Sequence, residues 1–76
     1  MENIKLKEVI SAVFEIDINS ITPSTSPEDV DNWDSMGHLN LVLALEEEFN
    51  ISIPDEDVGN LLNVRLLEII IDELTK

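Results

Sequence analysis

The chain has 76 residues, 43% of them hydrophobic but only three aromatic, and 17 acidic against four basic side chains leave a formal charge of −13. That length predicts one domain spanning residues 1–76, near the size at which a single core only just outweighs chain entropy. The charge argues against nucleic acid and anionic membranes as partners and favours basic protein surfaces, while the lack of cysteine excludes disulfides and thiolate metal sites.

The first predicted helix covers residues 3–15. Leu6, Val9, Ile10, Val13 and Phe14 recur at helical spacing and form a single apolar stripe. Residues 16–33 read as a long loop, because Pro23 and Pro27 disfavour helix in the residues before them. A loop of that length in a small domain is either pinned or functional. Ile18, Ile21, Val30 and Trp33 are spaced to pin it.

The second helix is expected to start with Asp34 as N-cap and to run to Phe49, with Asn50 as its stop. Ile51, Ile53 and Pro54 make a connector, and Asp55 is placed to cap a brief third helix over residues 56–61. Gly59 inside that helix is worth roughly 1 kcal/mol of lost stability relative to alanine, which makes it the weakest element. Asn63 caps the fourth helix, whose core face is Val64, Leu67, Ile70, Ile71 and Leu74. The pattern predicts an all-α, small four-helix bundle: three longer helices, one short third helix and a long first loop.

The second helix carries two apolar faces. At about 100° per residue, Leu41, Leu45, Phe49, Val42 and His38 share an arc of about 100°, while Met36, Leu39 and Leu43 fall in a separate one. A bundle helix needs one buried face. The second stripe either packs under the loop or third helix, or it is a docking surface flanked by Asn40, Glu46 and Glu47 that steer a basic partner. Glu46-Glu47-Glu48 also sits at the wrong end of the helix for the macrodipole.

Ser35 follows the Asp34 cap at the first helical position, where backbone N–H groups and the dipole favour a phosphate on its hydroxyl. Asp34 is placed to help hold a divalent metal during phosphoryl delivery. Gly37 leaves room for an approaching enzyme. Asp-Ser at a helix start is also ordinary capping, so residue chemistry alone leaves both readings open.

Catalysis by this chain is not expected. A serine hydrolase needs a base and an orienting acid around the serine, yet the only histidine, His38, points to the core arc as a half-buried packing residue. A nucleophile elbow is missing its first glycine. An EF-hand starting at Asp55 fails at Gly59 and Leu66, and one histidine without cysteine builds no zinc site, so neither catalytic residues nor a metal site are predicted. The longest apolar run, residues 41–45, is too short to span a bilayer. The N-terminus lacks a signal-peptide stretch. Asn50-Ile51-Ser52 is therefore read as a chance glycosylation match and the chain as cytoplasmic.

Asp34-Ser35-Met36, then Leu39, Ala44-Leu45-Glu46-Glu47-Glu48-Phe49 and Ile53-Pro54-Asp55-Glu56, with Ile21-Thr22-Pro23 ahead of them, resemble an acyl carrier protein. The likeness is tightest over residues 33–54 and looser elsewhere. The resemblance implies a right-handed helical bundle and 4′-phosphopantetheine, donated by coenzyme A, attached to Ser35 beside Asp34 by a Mg²⁺-dependent phosphopantetheinyl transferase. The arm's thiol would carry acyl groups as thioesters for acyl-activating, acyl-transferring and condensing enzymes with basic docking surfaces. It implies partner contacts at Asp34, Met36, Leu43, Glu46 and Glu47; Leu39 and Asn40 are expected to join them, and Val42, Leu45, Phe49, Val58 and Leu61 are expected to shelter the acyl chain. A monomer is expected.

Three departures stand out. Met36 replaces the commoner leucine, Asn40 a frequent acid, and Trp33-Asp-Ser-Met-Gly37-His38-Leu looks more like specialised, polyketide or peptide-synthetase carriers. Fatty-acid, lipid and polyketide-type biosynthesis all remain open. The alternative is a cofactor-free acidic helical adaptor that binds basic proteins through Met36, Leu39 and Leu43.

Overall fold

In the computed structural model, which describes residues 4–75, four α-helices and one 3-10 turn follow in chain order, with no strand among the described residues. Helix α1 spans Ile4–Phe14 and buries Leu6, Ile10 and Phe14, whereas Val9 and Val13 sit at the rim of the core. Asn3, expected as its first residue, lies outside the described residues. Glu15 was expected inside the helix and instead takes a left-handed conformation, φ 56°. There the Ile16 amide reaches back to the Ser11 carbonyl, 3.2 Å, and the Ser11 hydroxyl donates to the Ile16 carbonyl, 2.5 Å. The chain reverses at that point and carries Ile16 back onto the core.

The long loop is pinned as expected: Ile21, Val30 and Trp33 are buried, with Ile18 packed at the edge. Two of its features were not legible in the sequence. A 3-10 turn, Ile18–Ser20, is capped by the Asp17 carboxylate on the Asn19 amide, 2.9 Å. Thr25 is buried, and its hydroxyl accepts from the Thr22 amide at 2.9 Å. The loop also closes the start of the last helix. The Thr25 and Pro23 carbonyls accept from the Val64 and Arg65 amides, both at 2.9 Å, which pairs two of the donors a helix N-terminus leaves open.

Helix α2, Ser35–Phe49, runs from the Asp34 cap to Asn50, whose left-handed backbone (φ 54°) ends it. Helix α3 is shorter than expected, Asp55–Val58. Pro54, not Asp55, occupies the N-cap, because the Asp57 and Val58 amides donate to the Pro54 carbonyl at 2.9 and 3.3 Å. Asp55, Glu56 and Asp57 thus fill the first turn, where negative charge suits the dipole. Gly59 follows the helix and does not interrupt it, so the penalty expected for an internal glycine does not arise. Helix α4, Val64–Leu74, is capped by Asn63 on the Leu66 amide, 2.9 Å, as expected. Leu6, Ile10 and Phe14 of α1, Leu41, Val42 and Leu45 of α2, and Val64, Leu67 and Ile71 of α4 form one core with Ile53 and Leu61 from the connectors.

Candidate functional site

Asp34 has an extended backbone, φ −96° and ψ −168°, and its carboxylate accepts from the Gly37 amide at 2.8 Å while its carbonyl accepts from the His38 amide at 2.8 Å. This cap starts α2 and sets Ser35 as the first helical residue. Ser35 is exposed, and among the described residues its hydroxyl has no hydrogen-bond partner. An unpaired hydroxyl at the open end of a helix suits it to receive a phosphate ester.

Gly37 has a different role from the one read in the sequence. Its missing side chain does not make room for a visitor. A Cβ there would overlap the Asn32 backbone carbonyl and lie 3.2 Å from Cε1 of Phe14. The loop passes directly over α2 at that point and is tied down by the Asn32 side-chain amide, which donates to the Phe14 carbonyl at 3.1 Å. Glycine is what lets the loop meet the helix, and so places Asp34 and Ser35 at its end.

His38 is half-buried and hydrogen-bonded through both ring nitrogens. Nε1–H of Trp33 donates to Nδ1 at 2.9 Å, and Nε2 lies 2.7 Å from the Val58 carbonyl. Indole nitrogen only donates, so Nδ1 is the acceptor and Nε2 carries the proton given to Val58. Trp33 stacks on Phe14, 5.3 Å between ring centroids, and meets the nearly coplanar imidazole edge to edge through that hydrogen bond, 6.2 Å between centroids.

The second apolar stripe of α2 does not go under the loop: Met36, Leu39 and Leu43 are 74%, 56% and 63% exposed. Asn40 and Glu47 are exposed beside them. The three consecutive glutamates do different things. Oε2 of Glu46 accepts from the Ile53 amide at 2.8 Å and holds the connector ahead of α3. Glu48 pairs with Lys5 at 3.7 Å, and Lys5 also lies over the Phe49 ring, 5.3 Å from its centroid. Glu47 alone of the three faces outward without such an engagement.

A cleft of about 540 Å³ opens beside Ser35, lined by Pro27, Trp33, His38, Leu39, Leu61 and Leu62. Sequence periodicity did not reveal Pro27 and Leu62, because they come from connectors. Of the residues expected around an acyl chain, Leu61 lines this cleft. Val42 and Leu45 are packed in the core behind it, and Phe49 and Val58 are half-buried at the core's edge. Among the described residues no cluster of three or more His, Asp or Glu side chains is placed to hold a metal, and no helix is long and apolar enough to cross a membrane.

The family model described as "Phosphopantetheine attachment site" matches residues 5–73. An acyl carrier protein of Syntrophobacter fumaroxidans is 36% identical over 73 residues, 96% of this chain and 86% of that protein. One from Thermosynechococcus vestitus is 34% identical over 61 residues, 80% of this chain and 75% of the relative. The solution NMR structure of a holo acyl carrier protein from Geobacter metallireducens superposes with a TM-score of 0.82 at 33% identity, covering 91% of this chain and 79% of that one.

Proposed function

The chain belongs to the acyl carrier proteins, and from that premise we propose that Ser35 is the residue that bears the prosthetic arm. The protein is a carrier and not an enzyme. Its cofactor, 4′-phosphopantetheine, supplies a flexible tether ending in the thiol that holds acyl groups as thioesters. Tethering keeps an intermediate at high effective concentration as it passes between enzymes. The family works with a phosphopantetheinyl transferase and with biosynthetic enzymes.

One observation carries the Ser35 assignment: an exposed, unpartnered hydroxyl at the first residue of α2, on the mouth of an apolar cleft. The Ser35 oxygen would be the nucleophile toward coenzyme A, and the outward oxygen of Asp34, whose other oxygen caps the helix, is free to help hold the transferase's metal. Met36, Leu39 and Leu43 supply apolar docking area for acyl-activating, acyl-transferring and condensing enzymes, and Asn40 and Glu47 edge it. Glu46 contributes its charge to that edge while bracing the connector. Val42, Leu45, Phe49, Val58 and Leu61 shelter the cargo, entered through the cleft. The site of action is the cytoplasm, within fatty-acid, lipid or polyketide-type biosynthesis.

The test is intact mass after incubation with coenzyme A, Mg²⁺ and a broad-specificity transferase. Wild type gains one phosphopantetheine and Ser35→Ala gains none. Equal gain by the alanine variant would refute the assignment.

A further inference from the structure

We propose that His38 is a positioning residue, a latch that holds α3 against α2 and sets how readily an acyl chain passes from the cleft into the core. The consequence for cargo rests on the carrier reading of Ser35, but the latch itself does not.

Helix α3 is weakly held. It has four residues, no side-chain N-cap and no buried side chain. Ahead of it the Ile53 amide is fixed by Glu46, and after it the Val64 amide is fixed by the loop. Between those two anchors the hydrogen bonds of residues 54–62 are local, such as Asn60 to the Glu56 carbonyl, 3.2 Å. Among the described residues the one exception is His38 Nε2 to the Val58 carbonyl, 2.7 Å.

The other end of that link is rigid. Nδ1 of His38 takes the indole N–H of Trp33, and Trp33 is only 3% exposed and stacked on Phe14. The imidazole therefore hangs the α3 backbone from the aromatic centre of the core, in a neutral tautomer with the proton on Nε2. Gly59, Leu61 and Leu62, which follow Val58, line the same cleft as Ser35 and Leu39 of α2.

Beyond the cleft lining, Val42 and Leu45 are packed in the core at 5% and 0% exposure, and Leu61, which lines the cleft, is itself only 4% exposed. A chain that goes deeper has to part α3 from α2, and parting them breaks the Val58 bond. The latch thus opposes entry by the strength of one hydrogen bond.

Two variants isolate this role. His38→Phe keeps a ring against Trp33 and removes both hydrogen bonds. His38→Gln offers a carbonyl oxygen to Trp33 and an N–H to Val58. In the unmodified full chain, amide exchange followed by NMR should accelerate on the order of tenfold in His38→Phe at Asp57, Val58, Asn60, Leu61 and Leu62. Amides of α1 and α4 should keep their relative protection, and His38→Gln should restore the wild-type pattern. Unchanged exchange at these amides, or equal acceleration through the whole chain, would overturn the latch.

For the cargo, octanoyl-loaded protein is exposed to hydroxylamine. Easier entry should shield the thioester, so cleavage slows in His38→Phe and recovers in His38→Gln. Cleavage that is unchanged or faster in His38→Phe would overturn the gating role. A wild-type chain that accepts no phosphopantetheine would overturn the Ser35 reading instead, while the exchange data on unmodified protein still decide the latch.

Discussion

Replacing Gly37 with alanine places a methyl group where the Asn32 carbonyl already lies, with the Asn32 carbonyl carbon 3.1 Å and Phe14 Cε1 3.2 Å away. The obstructing atoms are mainly backbone, so they cannot rotate aside, and relief requires moving the loop. Overpacking of this kind is worth about 1–3 kcal/mol, and the upper end applies when backbone must shift. Displacing Asn32 also weakens its bond to the Phe14 carbonyl, a net loss of about 1 kcal/mol. Alanine's better helix propensity returns up to about 1 kcal/mol. The net expectation is destabilisation by about 2–3 kcal/mol, which for a domain of this size lowers Tm by roughly 10–20 °C. Gly59→Ala is the control. Nothing lies within 4 Å of its added Cβ and its backbone is already right-handed helical, φ −70°. That variant should be stabilised by about 0.4–1 kcal/mol through a less flexible unfolded chain. Urea unfolding followed by circular dichroism measures both. A Gly37→Ala protein as stable as wild type would refute the claim that the loop and α2 meet through this glycine.

Three further outcomes are expected. Asp34→Asn keeps an acceptor for the Gly37 amide, so its unfolding midpoint should stay close to wild type while phosphopantetheine transfer slows; Asp34→Ala should also lose about 1 kcal/mol with the cap, and equal transfer rates in wild type and Asp34→Asn would remove the carboxylate from the reaction. Glu46→Ala leaves the half-buried Ile53 amide without its acceptor and should lose about 1–3 kcal/mol, whereas Glu46→Gln retains most of that stability; urea midpoints that rank the other way would discount the brace. With a formal charge of −13, Tm should rise on adding salt or Mg²⁺ through screening and ion binding, and a melting point insensitive to both would show that self-repulsion is unimportant.

Helix identity was legible because it depends on near neighbours. The periodic apolar residues of α1, α2 and α4, the caps at Asp34 and Asn63 and the stop at Asn50 all act within one or two turns of chain. The resemblance around Ser35 also lies mostly in one continuous stretch, residues 33–54. What went unread comes from distant segments meeting. Nothing within α2 says that Gly37 is occupied by the loop, that Glu46 braces a residue seven positions on, or that Glu48 reaches Lys5. The shortened α3 belongs to the same class, since Pro54 displaced Asp55 as its cap by accepting two amides.

The primary sequence therefore determined which segments coil and which hydroxyl stands at a helix start, since short-range sterics and hydrogen bonding decide both. Only the folded chain decided that the Met36, Leu39 and Leu43 stripe stays exposed, that connector side chains line the cleft beside Ser35, and that His38 ties Trp33 to Val58. Those features depend on how helices and loop pack together in space, and that arrangement has no counterpart in residue spacing along any one helix.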